Sequence, residues 1–380
     1  MLKLLFDLVT TQPTRTTKIH GGGKYGEMIL YRILERNIPV CCCYDSQKWL
    51  NPDIEKVLDE KSIKLYDIRS AGVNEIIKEQ SIDVFYIPAY VNAPNYIDVS
   101  QCPVICTIHD LRGLELPVDY YQIKYKPWRN VLSFGKKALL KRLADKKDKD
   151  LIGKVLKADN FQVITDTYHS AYAFKSYFPT YNKDIPIFYA PSTIKYETHE
   201  NAFMEKYFLL VSGNRYNKNN LRAIEALDRL FTYGCANGYK VKITGVKSKE
   251  TFRYTINNPE RFEFCGFVDE KELDQLYHDA YCLIYPSLNE GFGYPPVEAM
   301  HYGVPVLASP FTSIPEVCGD SAIYFNPFSV EEIMNRILMI IEPEWHEKYS
   351  KLAKERYAYI TKKQQADLDR LIDYIYNFKS

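Results

Sequence analysis

Tyr285-Pro-Ser-Leu-Asn-Glu290-Gly-Phe-Gly-Tyr-Pro-Pro-Val-Glu298-Ala-Met-His-Tyr-Gly303-Val-Pro-Val306 is the most informative stretch of this sequence. The apolar run Tyr281–Tyr285 reads as a buried strand that ends at Ser287. A loop with Glu290, Gly291 and Gly293 follows. Pro295-Pro296 then opens a helix, because proline's fixed φ suits the first helical turn, where its missing N–H is not needed. Gly303 stops that helix, and Val304–Ala308 is the next buried strand. A strand, a glycine loop, a helix and a second strand within so few residues form one repeat of a parallel α/β sheet.

The same alternation extends in both directions. Toward the N-terminus, Phe208–Ser212 and Val241–Thr244 read as strands. Leu221, Ile224, Leu227 and Phe231 mark one helix face between them, and Leu273–Tyr277 lies on a later helix. Further back, Leu2–Leu8, Pro39–Cys43, Ile82–Ile87, Val104–Ile108 and Phe161–Thr165 are strand-like. Gly21-Gly22-Gly23 opens a helix carrying Met28, Ile29, Tyr31, Ile33 and Leu34. The βα pattern pauses at a Pro- and Tyr-bearing stretch, Pro186–Glu200, and then restarts. At 380 residues the chain is too long for one ordinary core. The expected class is therefore α/β with two doubly wound parallel-sheet domains, 1–190 and 191–360. Residues 361–380 are read as a C-terminal helix crossing back to the first domain, with Leu368, Leu371, Ile372 and Ile375 as its apolar face.

Composition narrows the function class. A formal net charge of +1 gives no global pull on nucleic acid. The nine cysteines include no paired C-x-x-C spacing, and Cys41, Cys42, Cys43, Cys106 and Cys282 fall in strand-like apolar runs. Buried, reduced thiols and a cytoplasmic setting are expected, with no metal cluster. Asp148-Lys149-Asp150 matches an Asp-x-Asp metal motif by letters alone. It sits in a polar run rather than at a strand end, so it is set aside. The N-terminal apolar run is read as a strand rather than a signal peptide, and no stretch approaches the ~20 apolar residues of a membrane span. Residues Lys136–Lys157 stand apart, with nine Lys or Arg against three Asp. Leu139, Leu140 and Leu143 recur there at helical spacing. A solvated helix covering the first domain and a basic face for an anionic membrane or lipid-diphosphate acceptor both remain open. The 32 tyrosines fit compositional bias or ring platforms for sugars.

The chemistry gathers around the opening stretch. A glycine loop at a helix N-terminus suits a phosphate, since backbone N–H groups and the helix dipole face it and Gly291 and Gly293 permit close approach. Glu290 in the loop can reach sugar hydroxyls. Glu298, read in the first helical turn, can hold a ribose diol through two accepted hydrogen bonds, or can simply complement the helix dipole.

This stretch resembles the Glu-x7-Glu motif of the retaining family-4 glycosyltransferases, which have the GT-B fold of two Rossmann-like domains facing a central cleft. Ser212-Gly213-Asn214-Arg215-Tyr-Asn-Lys218-Asn219 is similar to the family's strand-to-helix loop, in which an Arg and a Lys hold the donor diphosphate. The spacing differs from the commonest form, where Arg directly follows Gly. The resemblance implies Arg215 and Lys218 as the cations, with Gly213 and Asn219 beside the donor. Such cations would stabilise a leaving diphosphate electrostatically. It also implies that Gly22 and Gly23 belong to a glycine loop near the diphosphate and acceptor. Gly266, Phe267 and Val268 would form a turn that meets the nucleotide base, and Gly291, Phe292 and Gly293 would line the donor.

Thr107-Ile108-His109-Asp110 follows a strand, so His109 stands at a strand's carboxyl end, where ligands bind in open α/β sheets. The resemblance implies contact of its imidazole or carbonyl with the donor sugar, and Asp110 is expected to orient it. Thr165-Asp166 and Ser170 resemble the end-of-strand segment that closes the first sheet. The expected activity is sugar transfer from a nucleotide diphosphate donor to a hydroxyl of a glycan or lipid-linked acceptor, in bacterial surface polysaccharide or glycan synthesis. Retention is implied by the resemblance. No cofactor and no metal are expected, because the cations stand in for a divalent ion. The rival readings are a glycosidase using Glu290 and Glu298, a phosphorylase needing pyridoxal phosphate, and a non-catalytic nucleotide-sugar binder.

Overall fold

The computed structural model describes residues 2–14, 20–90, 101–125, 129–156, 158–194 and 206–378. Lys157 and residues 195–200 of the expected domain boundary lie outside them. The chain forms two compact units. The first comprises Met1–Leu111, Lys146–Thr193 and Thr361–Ser380, and the second Arg112–Asp145 and Ile194–Ile360.

In chain order the elements begin with β1 (Leu4–Asp7), α1 (Gly21–Glu35), β2 (Val40–Tyr44), α2 (Pro52–Glu60), β3 (Leu65–Asp67), α3 (Val73–Gln80), β4 (Val84–Ile87) and β5 (Val104–Thr107). They continue with α4 (Arg112–Glu115), α5 (Arg129–Leu156), β6 (Phe161–Ile164) and α6 (Tyr168–Tyr177). The first unit's sheet is wholly parallel in the order β3-β2-β1-β4-β5-β6. Every residue of β1, β4, β5 and β6 is buried. That is why these strands read as unbroken apolar runs rather than alternating ones: helices cover both faces.

The remaining elements are β7 (Tyr207–Leu210), α7 (Asn220–Thr232), β8 (Lys240–Thr244), β9 (Phe262–Gly266), α8 (Glu270–His278), β10 (Cys282–Tyr285), α9 (Tyr294–His301), β11 (Val306–Ala308), α10 (Ile314–Cys318), β12 (Ala322–Tyr324), α11 (Val330–Ile341) and α12 (Pro343–Tyr376). The second sheet is also parallel, in the order β12-β11-β10-β7-β8-β9. Counted from its own first strand, its order is the same as that of the first sheet. Alternate residues of the central strands feed two cores, as the two-residue side-chain period requires. Phe208, Leu210, Cys282 and Ile284 enter one, while Tyr207, Leu209, Leu283 and Tyr285 enter the other.

The division of the chain differs from the sequence expectation at Arg112–Asp145, which belongs to the second unit rather than the first. The reason lies in the segment that follows α4. Asp119 accepts two hydrogen bonds from Arg222 on α7, at 2.6 and 2.8 Å. Tyr121 donates to Glu225 at 2.7 Å, and its ring lies 3.6 Å under the Arg222 guanidinium. The Tyr125 hydroxyl accepts the Leu221 amide at 3.0 Å. These buried polar contacts strap the segment onto α7, a tie that hydrophobic periodicity does not register. Helix α12 contributes its residues up to Ile360 to the second unit and the rest to the first. Within the first unit, Asp369 pairs with Arg32 of α1 at 2.9 Å, and Asp367 accepts the Tyr189 amide at 3.0 Å.

Candidate functional site

In an open parallel sheet the crevice forms where the strand order reverses, beyond the carboxyl ends of the two strands that flank the reversal. In the second unit those strands are β7 and β10. The loop after β7 carries Arg215 and Lys218, and the loop after β10 carries Glu290. Residues 72 positions apart in sequence therefore meet for a topological reason: Nζ of Lys218 lies 2.7 Å from Oε1 of Glu290 and 2.8 Å from the Tyr285 hydroxyl.

Each loop is held from several sides. After β7, Gly213 donates its amide to Thr244 on β8 at 2.8 Å. A Cβ at Gly213 would stand 2.8 Å from Ile243 Cγ2, so close packing against β8 by itself requires glycine here. A short 3-10 turn, Tyr216–Lys218, then points Lys218 inward. Asn219, with φ of 57°, turns the chain into α7 and donates to the carbonyls of Pro286 and Pro327. After β10, Leu288 donates to the Asn217 carbonyl at 2.7 Å, and the Glu290 amide donates to the Thr312 hydroxyl at 3.0 Å. The Ser313 hydroxyl serves the carbonyls of both Glu290 and Phe292, and the Ser287 hydroxyl donates to the Glu290 carboxylate. Gly291, Phe292 and Gly293 are buried, and Gly293 holds φ of 94° as the residue before α9. That left-handed backbone is why the second glycine of the loop is needed.

The electrostatics follow from burial and surplus positive charge. Burial alone would push the Glu290 pKa up, yet Lys218 and Arg112 outweigh it and hold the carboxyl below its ordinary value. Burial pushes the Lys218 ammonium down; Glu290 opposes that, while Arg112 and Arg215 reinforce it. Arg215 is likewise lowered by burial and by Arg112. The Lys218–Glu290 pair thus lies within the field of two further cations, Arg112 and Arg215, a local surplus of positive charge.

Two sequence expectations change at α9. Glu298 is the fifth residue of the helix, in its second turn, where it hydrogen-bonds the buried Tyr277 hydroxyl of α8. The helix begins at Tyr294, one residue ahead of the two prolines. Pro295 and Pro296 have no N–H, so they remove two of the roughly four amides that a helix start otherwise offers an anion. This helix start therefore offers an anion fewer backbone amides than an ordinary one. At the segment expected to meet the base the chain turns: Gly266 has φ of 72°, Val268 packs partly buried against the core and Phe267 is exposed. Asp269 caps α8 immediately afterwards.

In the first unit, Gly21, Gly22 and Gly23 form the first turn of α1, capped by His20, whose Nδ1 accepts the Gly23 amide. A Cβ on Gly23 would fall 2.8 Å from the Thr11 carbonyl oxygen, and one on Gly22 would crowd Ala89 beyond the end of β4. His109 stands beyond the end of β5, with the Tyr25 ring edge-on at 4.5 Å. Its Nε2 lies 3.0 Å from the Pro88 carbonyl and its Nδ1 2.7 Å from Asp166. A carbonyl only accepts, so Nε2 carries a proton, and the Nδ1–Asp166 contact is a second hydrogen bond. Burial opposes charge on the ring, but Asp166 and then Asp110 raise the His109 pKa above its ordinary value, while burial raises that of the Asp166 carboxyl as well. The orienting carboxylate is thus Asp166, not the expected Asp110. Asp166 lies at the end of β6, the strand paired with β5, so sheet register rather than sequence adjacency supplies it. The His109 carbonyl is engaged as well, by the Ser170 hydroxyl at 2.5 Å.

Sequence reasoning missed Tyr285, Ser287, Asn289 and Arg112. Tyr285 and Ser287 lie within the opening stretch and could have been found from the strand end; Arg112 could not. All nine cysteines are free, and seven of them are buried. Among the described residues no cluster of His, Cys, Asp and Glu is placed to hold a metal, and no helix is long and apolar enough to cross a membrane.

The chain is similar to known proteins in its second unit and in its fold. Residues 194–359 match the family model described as Glycosyl transferases group 1, a span that falls within the second unit. The chain is 42% identical over 85 residues to the O-antigen chain mannosyltransferase B of Escherichia coli, covering 22% of each. It is 46% identical over 70 residues to the serotype-specific mannosyltransferase WbdA of Escherichia coli, covering 18% of this chain and 9% of that one. The matches thus span less than a quarter of the length of these curated relatives. Among solved structures, Anabaena Alr3699/HepE in complex with UDP-glucose superposes with a TM-score of 0.64 at 15% identity, covering 98% of this chain and 100% of that one. WaaG, a glycosyltransferase involved in lipopolysaccharide biosynthesis, superposes with a TM-score of 0.66 at 14% identity, covering 99% and 100%. The fold is GT-B.

Proposed function

We propose that this protein is a glycosyltransferase that moves a sugar, a mannosyl residue by analogy with the relatives above, from a nucleoside diphosphate to a hydroxyl of a bacterial surface glycan. The observation that carries the proposal is the Arg215–Lys218–Glu290 cluster at the strand-order reversal of the second sheet, within the stretch matched by the family model. Arg215 and Lys218 neutralise the charge that develops on the leaving diphosphate. Glu298 takes the ribose, exchanging its bond to Tyr277 for the diol. Gly213 and Asn219 shape the loop under the phosphates, and the turn Gly266–Val268 meets the base. His109, whose two ring nitrogens are engaged by the Pro88 carbonyl and by Asp166, stands at the transferred sugar as a positioning residue and does not act as a base.

Transfer proceeds with retention and without a divalent metal, and no coenzyme takes part. We favour front-face substitution, in which the bond from the anomeric carbon to the phosphate oxygen breaks as the acceptor oxygen bonds on the same face. The acceptor proton passes to the departing phosphate oxygen. The ion pair of Glu290 with Lys218 supports this reading over a glycosidase, because it ties one of the two carboxylates to a cation within the protein.

A lipid-linked acceptor fits one further feature. Leu139, Leu132 and Leu143 on α5 are 84%, 73% and 64% exposed, in a helix whose sequence from Lys136 onward is strongly basic. We propose that α5 rests on an anionic membrane surface on the cytoplasmic side. The test of the activity is transfer of mannose from GDP-mannose, with UDP-glucose as a parallel donor, assayed with and without chelator. Product anomericity reads retention, and a product of inverted configuration would overturn that part.

A further inference from the structure

We propose that Arg112 is a third phosphate-binding cation of the donor site, aimed by Asn289. This rests on the donor-site reading above. Arg112 opens α4, three residues after His109 in sequence, yet it belongs to the second unit with the donor loops. Its Nε donates to the Asn289 side-chain oxygen at 3.2 Å, and the Asn289 amide in turn donates to Glu115 at 3.2 Å. Asn289 is fully buried and immediately precedes Glu290. Arg112 and the Glu290 carboxylate are therefore fixed by adjacent residues of one loop.

The charges of the cluster agree. The charge of Arg112 acts on Glu290, Lys218 and Arg215 alike, in keeping with its bond to the residue next to Glu290. With Glu115 and Glu290 counted against Arg112, Arg215 and Lys218, the cluster carries a net positive charge. Mutually repelling cations in a partly buried crevice are stabilised by a multiply charged anion, and the planar guanidinium fork matches a phosphate edge in a way that an ammonium does not. The strap that ties 119–125 to α7 through the Asp119–Arg222 pair holds the segment carrying Arg112 to the same unit. Arg112 is a binding residue in this account; Asn289 is a positioning residue.

The test is titration of wild type, Arg112→Ala, Arg112→Lys and Asn289→Ala with UDP and GDP, alongside uridine and guanosine. With the nucleoside diphosphate that wild type binds, Arg112→Ala should bind about 10- to 100-fold more weakly, as expected for loss of a charged hydrogen-bonding partner. Affinity for the matching nucleoside should be unchanged, which also shows that the variant is folded. Arg112→Lys should recover only part of the loss, and Asn289→Ala should show a smaller loss confined to the diphosphate. Equal diphosphate affinity in wild type and Arg112→Ala overturns the inference. An equal loss for nucleoside and diphosphate also overturns it, because it marks a structural role. If wild type binds neither diphosphate, the donor-site reading itself fails.

Discussion

The Lys218 ammonium and the Glu290 carboxylate form an ion pair at 2.7 Å in which each side chain is only 9% exposed. The sequence reading gave these residues separate tasks, one on the diphosphate and one on the sugar. In the structure the two side chains pair with each other. Removing one partner strands a buried charge, which costs about 3–5 kcal/mol. Lys218→Met and Glu290→Gln should each lose about that much stability in urea denaturation, and the double variant clearly less than the sum. Additive losses would mean that the two residues do not act as a pair.

His109 gives a pH dependence of known sign. Its folded pKa lies above the ordinary 6.5 because Asp166 and Asp110 outweigh burial. The stabilisation is therefore complete below about 6.5, the unfolded value, and is lost as pH rises through the folded pKa. Asp166→Asn should bring the His109 pKa down in a proton NMR titration and flatten that part of the stability profile. An unchanged His109 titration in Asp166→Asn would contradict the assignment.

Two glycines should fail for different reasons. Gly213→Ala pushes a methyl against Ile243 and Val246 and should cost about 1–3 kcal/mol by overpacking. Gly293→Ala meets no atom within 4 Å, but its φ of 94° should cost about 1–2 kcal/mol in backbone strain alone. Thermal denaturation measures both. Gly213→Ala combined with Ile243→Ala, which removes the clashing Cγ2, should cost less than the sum of the two single changes, whereas Gly293→Ala combined with Ile243→Ala should cost the full sum.

The central strands of both sheets were legible because burial on two faces writes them as continuous apolar runs. The strands that escaped, β3, β9 and β12, are all sheet edges. Residues of β3 are only half-buried and β9 mixes exposed with buried positions, so neither leaves an apolar run. Within the site, Arg215, Lys218, Glu290 and Glu298 were legible because each lies on a loop or helix next to a readable strand. The pairing of His109 with Asp166 and the placement of Arg112 beside Asn289 were not, since both depend on which strands and segments become neighbours in space.

The α5 leucines make the membrane proposal measurable. Wild type should co-sediment with phosphatidylglycerol vesicles and not with phosphatidylcholine, weakening with salt, since each basic residue near an anionic surface contributes about 1 kcal/mol. Leu139→Asp combined with Leu143→Asp should reduce binding to the anionic vesicles without changing the melting temperature. Equal binding by wild type and this variant would remove α5 from the proposal.

The most direct test of the donor site is a thermal-shift measurement with UDP, GDP, dTDP, ADP and CMP in chelator, on wild type, Lys218→Ala and Glu298→Ala. A ligand that binds only the folded state raises the melting temperature, by the equivalent of about 2.7 kcal/mol at a concentration 100 times its Kd. The account predicts a clear shift of wild type with one nucleoside diphosphate and its loss in both variants. No shift of wild type with any of them at millimolar concentration, or an undiminished shift in Lys218→Ala, would contradict it.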